Sequence, residues 1–146
     1  SAEYNVRADP KALQRVFAAD WDVTVTPLDT CGIIHLTGDK FQTVYRSKDP
    51  VLVALMENYQ AWRIAGSKNK DKPLGPPDRS STLFDTVAIY LACTEELVRM
   101  EKLGIRVTDD GYTAIDPDAK ATNCAMTWKD LGAFEDDLVR RLTNAG

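Results

Sequence analysis

The spacing of apolar residues along the chain predicts alternating strands and helices. The segment "SAEYNVR" alternates in polarity and predicts an extended start. The next segment, "PKALQRVFAA", has an N-cap in Asp9 and a proline at the first helical position. The run from Val23 to Leu28 predicts a short buried strand, stopped by Pro27 and a polar turn. This rhythm of strand, helix and strand favours an α/β sheet with crossover helices.

Three more helices are predicted in the middle of the chain. "TGDKFQTVYRS" has the pattern of a short helix, and "DPVLVALMENYQAWRIAG" has an N-cap at Asp49 and a stop at Gly66. An apolar helix is predicted from about Leu83 to Cys93. Between them, residues 67–81 form the clearest loop in the chain. That loop is either a solvated connector or a mobile flap over a site, because long loops in compact domains often act as lids.

The last third of the chain changes to a β-rich pattern. The segment "ELVRMEKLGIRVTDDGYTAID" alternates around an Asp110–Gly111 turn, which predicts a hairpin, and "ATNCAMTW" predicts a third strand. A closing amphipathic helix follows, and the acidic run from Glu135 to Asp137 is expected to form its solvated face. Its apolar face is formed by Leu131, Phe134, Leu138 and Leu142.

Composition narrows the classes of function. A chain of 146 residues with 44% hydrophobic content is expected to fold as one domain, residues 1–146, with a real core. A net charge of -4 and dispersed basic residues argue against nucleic-acid binding, and no segment is long and apolar enough to predict a membrane span. The compartment stays open between the cytoplasm and, if a signal was removed, the periplasm or the exterior.

The cysteines and the single histidine give little sign of catalysis. Cys31, Cys93 and Cys124 lack metal-ligand spacing and are expected to be reduced, buried thiols. His35 is the only histidine, so any Cys–His dyad or Ser–His–Asp triad would have to use it. A lone histidine after two isoleucines more often packs locally than acts in catalysis.

Two short stretches carry candidate chemistry. In an extended "EYN", Glu3 and Asn5 would share one face, where a carboxylate and an amide could grip the neighbouring hydroxyls of a sugar. The plainer alternative is that Glu3 and Asn5 are simply exposed polar residues near the start of the chain.

Asp85 lies at the start of the apolar helix, where a carboxylate stabilises the helix start by about 0.3 to 1 kcal/mol. Alternatively Asp85 is one ligand of a hard cation such as Ca²⁺, with other ligands from elsewhere.

The order of these segments resembles the C-terminal half of an inosine-uridine-type nucleoside hydrolase. The resemblance rests on "AEYNVRADPKALQRVFA", "VTVTPLD", "LFDTVAIYLA", "GYTAID" and "FEDDLVRRL". It implies a partial hydrolase-like α/β sheet with crossover helices, a small C-terminal hairpin region and a closing helix. It also implies Ca²⁺-dependent hydrolysis of the N-glycosidic bond of ribonucleosides. By position, Glu3 and Asn5 match the family's sugar-contacting pair, and Asp85 matches its late calcium ligand.

Two departures from the family pattern limit what the chain is expected to do. The aspartate-rich strand-loop "D-T-D-x-G-x-D-D", which supplies most calcium ligands and the general base in the family, is absent; "TDDGYT" predicts only a turn. Phe84 stands where nucleoside-specific members of the family often have a histidine, which is assigned as the acid that protonates the leaving base. A phenyl ring at a substrate site can stack on a ring but cannot deliver a proton.

Three hypotheses for the chain therefore remain open. The first is a C-terminal hydrolase portion, inactive alone, that needs a missing N-terminal half or a second copy to cover its sheet edge. With that half, Ca²⁺ would be its cofactor. The second is a non-catalytic sugar or nucleoside binding module, and the third is a structural interaction domain.

Overall fold

The computed structural model describes residues 2–67 and 75–143, which fall into two units. The first unit combines residues 1–34 with 82–130, and the second combines residues 35–81 with 131–146. In chain order the elements are α1 (Tyr4–Ala8), α2 (Pro10–Ala18), β1 (Thr24–Val25), α3 (Leu28–Cys31), α4 (Gly38–Tyr45), α5 (Pro50–Ala65), α6 (Phe84–Leu91), β2 (Val98–Val107), β3 (Thr113–Ile115), β4 (Ala121–Trp128) and α7 (Leu131–Thr143). None of the described helices is long and apolar enough to cross a membrane.

A mixed four-stranded sheet with the order β1-β4-β2-β3 organises the first unit. Strand β2 pairs antiparallel with β3 and β4, whereas β1 pairs parallel with β4. The predicted hairpin and third strand are therefore confirmed. The hairpin turn contains Gly111 at a φ of +87°, a conformation that glycine adopts without strain. The expected α/β class is confirmed by this sheet and its flanking helices.

Helix α3 is tied to the sheet by a buried threonine. The Thr30 hydroxyl is fully buried and donates to the carbonyl oxygens of Ala125 (2.7 Å) and Met126 (3.0 Å) on β4. In return, the Trp128 indole Nε1 donates to the Thr30 carbonyl oxygen at 3.0 Å. Because buried polar groups are costly unless paired, these bonds fix where α3 lies on the sheet. The last residue of α3, Cys31, is thereby held in the interior.

Two sequence-based expectations about the first unit are wrong. The N-terminal stretch is helical from Tyr4, because the Glu3 side chain caps the helix by accepting from Val6 N. The predicted strand over Val23 to Leu28 is reduced to Thr24–Val25. Pro27 is the N-cap of α3, and its carbonyl oxygen accepts from Thr30 N and Cys31 N, so the chain turns into a helix at Leu28.

The second unit contains α4, α5 and α7, and the three helices confirm the predicted ones. Its buried residues include Leu36, Phe41, Val44, Leu52 and Phe134. The acidic run on α7 is ion-paired rather than simply solvated. Lys40 on α4 lies 3.1 Å from Glu135 and 2.8 Å from Asp136. Asp137 pairs with Arg140 and with Arg141 (2.7 Å), and these bonds lower the pKa of its carboxyl.

The long predicted loop is only partly described, since residues 68–74 lie outside the described part of the chain. In the remainder, Arg79 forms an antiparallel bridge with Thr37. Ser80 exchanges two hydrogen bonds with Leu36, one from Ser80 N to the Leu36 carbonyl and one from Leu36 N to Ser80 Oγ, both at 3.0 Å. The end of the loop is therefore anchored within the second unit. The flap hypothesis stays a prediction.

Helix α5 offers a test of the capping signal. Asp49 Oδ1 accepts from Val51 N (2.9 Å) and Leu52 N (3.2 Å). We expect Asp49→Ala to lower the free energy of unfolding by about 1 kcal/mol, because it leaves helix-start N–H groups unpaired. Urea denaturation followed by circular dichroism measures the change. Asp20→Ala, an exposed aspartate outside any helix, is the control and is expected to change stability by less than about 0.5 kcal/mol.

Candidate functional site

Glu3 and Asn5 are joined at the start of α1. The Asn5 Nδ2 group donates to Glu3 Oε1 at 3.1 Å, while Glu3 Oε2 accepts from Val6 N at 3.1 Å. The two side chains thus meet through a helix cap rather than through the strand alternation that the sequence predicted. Glu3 is half-buried and Asn5 is exposed. The pair is therefore held by the hydrogen bonds of Glu3 and remains accessible to solvent through Asn5.

Phe84 and Asp85 occupy the first turn of α6. Helix α6 lacks a side-chain cap, and Asp85 is the acidic residue in its first turn. No described residue forms a hydrogen bond or ion pair with the Asp85 carboxylate, which is exposed. The Phe84 ring is 44% exposed and lies beside Gly32, directly after Cys31. Helices α3 and α6 pack against each other, which places both residues next to the end of α3.

The thiol of Cys31 lies within electrostatic reach of both candidate acids. Burial raises the pKa of Cys31, and the carboxylates of Glu3 and Asp85 raise it further. A negative charge disfavours a nearby thiolate only at short range, since solvent screens distant charges. Cys31 Sγ itself donates to the Thr26 carbonyl oxygen at 3.8 Å.

The described residues do not by themselves fit a calcium site. Calcium in proteins takes six to eight oxygen ligands from several segments. Residues 2–67 and 75–143 contain no cluster of three or more His, Cys, Asp or Glu side chains that could hold a metal ion. The exposed Asp85 carboxylate could therefore be at most one ligand among several. Any complete metal site needs oxygen donors from outside this set.

Sequence reasoning did not find that the carboxylates of Glu3 and Asp85 both raise the pKa of the Cys31 thiol. Its expectation of a buried, reduced thiol is confirmed for Cys31 and Cys124, but Cys93 is exposed. The spacing of Glu3, Cys31 and Asp85 along the chain does not signal this influence, because it depends on how α3 packs on β4 and α6. His35 is half-buried.

The influence of Glu3 and Asp85 on the Cys31 thiol can be tested directly by titration. We expect Glu3→Gln and Asp85→Asn each to lower the pKa of the Cys31 thiol, because each removes a negative charge that opposes the thiolate. Thiolate absorbance against pH, in a Cys93→Ser and Cys124→Ser background, measures the change. Asp20→Asn is the matched control. An unchanged titration in both Glu3→Gln and Asp85→Asn would show that the two carboxylates do not share this neighbourhood.

Comparison with known proteins identifies the family. Residues 1–135 match the family described as inosine-uridine preferring nucleoside hydrolase. The structure resembles that of the plant nucleoside hydrolase PpNRh1, with a TM-score of 0.75 and 20% identity over 98% of this chain and 48% of the plant chain. It also resembles the inosine-uridine preferring nucleoside hydrolase from Bacillus anthracis, with a TM-score of 0.70 and 17% identity over 99% of this chain and 43% of that one. A search of curated proteins finds no match.

The chain thus spans less than half the length of these solved structures. The match covers nearly the whole sequence, including α1 with Glu3 and Asn5 and α6 with Phe84 and Asp85. This chain belongs to the inosine-uridine preferring nucleoside hydrolase family.

Proposed function

We propose that this chain forms part of an N-glycosidase site for ribonucleosides or related ribosides and is inactive by itself. Glu3, Asn5 and Phe84 contact the substrate, and Asp85 supplies one metal ligand. The observation that carries the proposal is the 3.1 Å hydrogen bond between Asn5 and the half-buried Glu3, together with the exposed Asp85 beside Phe84 in the first turn of α6. Family membership supports the reaction class.

The chemistry of the Glu3–Asn5 pair suits a sugar. Each carboxylate oxygen of Glu3 accepts one N–H from the protein and retains capacity to accept a hydroxyl. Asn5 uses one amide N–H on Glu3, which leaves its second N–H and its carbonyl oxygen for a ligand. A pair that accepts and donates at adjacent positions matches two neighbouring hydroxyl groups. Because α1 fixes both side chains, little conformational entropy is lost on binding.

Phe84 cannot act as the general acid of the proposed site. Its partly exposed ring offers an apolar surface to a sugar or base but has no proton to transfer to a leaving group. General acid catalysis is typically worth about a hundredfold to ten-thousandfold in rate. A substrate of this site therefore needs a leaving group that departs without an acid at this position, or an acid from another segment.

Among residues 2–67 and 75–143, no three His, Cys, Asp or Glu side chains are grouped so that they could hold a metal ion. The proposal therefore requires a second segment that carries the remaining oxygen ligands and a general base. One segment of the required kind is an aspartate-rich strand-loop such as the family resemblance implies. Calcium, when bound by such a combined site, would supply an activated water and hold the ribose hydroxyls.

Release of free base from a nucleoside panel tests the proposal. The chain is assayed alone and together with a candidate N-terminal half that carries the aspartate-rich strand-loop, with and without Ca²⁺. We expect release only in the combined, calcium-containing reaction. Calorimetric binding of ribose by the chain alone, with no release in the combined reaction, would favour a non-catalytic binding module. No binding and no release would leave a structural domain.

A further inference from the structure

Helix α1, which carries the Glu3–Asn5 pair, is too short to fix that pair without help from the rest of the fold. It has five residues, whereas isolated helices of fewer than about 12 residues are marginal in water. Val6 holds α1 to the core, since it is 5% exposed and lies in a buried cluster with Phe17 and Val107. The orientation of the Glu3–Asn5 pair therefore depends on the contacts that hold α1 in place.

The turn between β2 and β3 lies directly against α1. Gly111 in this turn is buried, and an added Cβ there would lie 2.5 Å from Arg7 Cγ and 2.9 Å from Arg7 Cα. Atoms cannot approach this closely, so the contact between the turn and α1 requires a glycine at this position. Gly111 also has a φ of +87°, a conformation that favours glycine. The turn thus limits where α1 can lie on the side of Arg7.

Hydrogen bonds hold the turn in one conformation and join it to α2. Thr108 N donates to the Tyr112 carbonyl oxygen at 2.8 Å, and Tyr112 N donates to Thr108 Oγ1 at 3.0 Å. The Gln14 side-chain amide on α2 donates to the Val107 carbonyl oxygen at 3.0 Å and to Asp109 Oδ1 at 2.9 Å. Because these bonds fix the turn, the contact between the turn and α1 also restrains α1.

We propose that Gly111 is a positioning residue for sugar binding, because the β2–β3 turn sets the orientation of α1 and thereby of the Glu3 and Asn5 side chains. Arg7, which contacts the turn, follows Asn5 by two residues in the same short helix. A displacement of α1 at Arg7 therefore moves both sugar-contacting groups together. Misplacement of a binding group by about 1 Å can cost about a hundredfold in rate. The inference rests on the proposed function, which gives the pair its role as sugar contacts.

Gly111→Ala, compared with Gly38→Ala, tests the contact without any ligand. Gly38 also has a positive φ (+51°), but a Cβ there would meet nothing within 4 Å. Both variants carry the strain of an alanine at positive φ, whereas only Gly111→Ala displaces α1. In proton–nitrogen NMR spectra we expect Gly111→Ala to shift the Asn5 side-chain amide signals and to speed hydrogen exchange of the Val6 amide at least about tenfold. Gly38→Ala is expected to leave both unchanged.

Arg7→Ala provides a rescue, because it removes the Cγ atom that lies nearest to the added Cβ. In the Gly111→Ala background we expect it to return the Asn5 signals part of the way to those of the wild-type chain. If Gly111→Ala alone does not fold, the double variant is compared with Arg7→Ala instead. Displaced Asn5 signals are expected there too, since Arg7 Cα still lies 2.9 Å from the added Cβ.

Kinetics separate positioning from stability. In the combined, calcium-containing reaction we expect Gly111→Ala to raise the KM for nucleoside at least about tenfold and to change kcat less than about threefold, because the pair binds the sugar and transfers no proton. Gly38→Ala is expected to keep the wild-type KM.

The proposal is overturned if the Asn5 and Val6 signals are unchanged in the Gly111 variant that folds, or if both glycine variants alter them alike. An unchanged KM also overturns it. Absence of turnover in the wild-type reaction would instead overturn the proposed function, while the NMR comparison still decides whether the turn positions α1.

Discussion

Replacing Gly104 with alanine is expected to lower the free energy of unfolding of this protein by about 3 kcal/mol or more. Gly104 lies in the middle of β2, beneath the connection between β3 and β4. A Cβ atom there would lie 2.1 Å from the Asp116 carbonyl oxygen and 2.7 Å from that of Ala119. Both are backbone atoms, so relief requires the connection to move rather than a side chain to rotate. Overpacking of this kind typically costs about 1 to 3 kcal/mol, and lost hydrogen bonds add to it.

The hydrogen bonds at risk are those that hold the connection in place. Asp116 N donates to the Gly104 carbonyl oxygen at 2.9 Å, and the Asp116 carboxylate pairs with Arg106 at 2.9 Å. Urea denaturation of Gly104→Ala measures the loss. Gly75→Ala, where a Cβ would meet nothing within 4 Å, is the control for the glycine change itself. Equal stabilities of the two variants would contradict the close approach of the connection to β2.

The elements that the sequence predicted correctly are those whose signals are local. Asp9 and Asp49 predict the starts of α2 and α5. A short acceptor side chain before a proline pairs with helix-start N–H groups, and this does not depend on the rest of the fold. The Asp110–Gly111 pair predicts the hairpin because glycine adopts the positive φ that the turn requires. Each signal depends on only a few neighbouring residues.

The wrong predictions concern two segments in which the local sequence favours a strand but other contacts favour a different structure. The N-terminal residues alternate like a strand, yet Glu3 caps them into a five-residue helix. Glutamate is not among the common N-cap residues, so its capping role is not evident from sequence. At Val23 to Leu28 the β-branched residues favour a strand, but the partner β4 lies nearly a hundred residues later and pairs with only two of them. Tertiary context decided the length of β1.

The residues of the candidate site were named from the sequence, but their arrangement was not. Family resemblance named Glu3, Asn5, Phe84 and Asp85, whereas the place of Phe84 and Asp85 beside the end of α3 depends on the hydrogen bonds that hold α3 to β4 and on the packing of α3 against α6. Only the folded chain relates them.

Asp85→Asn is expected to reduce base release by about a hundredfold or more when the chain is combined with its candidate N-terminal half and Ca²⁺. Loss of one charged ligand weakens metal binding, and the metal contributes several kcal/mol to the stabilisation of the transition state. The alternative role for Asp85, electrostatic stabilisation of the helix start, is worth only about 0.3 to 1 kcal/mol and concerns folding alone. Activity and thermal unfolding, measured on the same variant, separate the two roles.

Asp39→Asn is the matched control for this separation. Asp39 is an exposed first-turn aspartate of α4, which, like α6, has eight residues and lacks a side-chain cap. If Asp85 acts only on its helix, both variants lose similar stability and neither changes the calcium dependence of base release. If Asp85 is a ligand, the two variants unfold alike, but only Asp85→Asn requires far more calcium for the same rate. The two helices match in length and in the absence of a side-chain cap. A difference in calcium dependence between the variants therefore reflects metal binding by Asp85 rather than stabilisation of its helix.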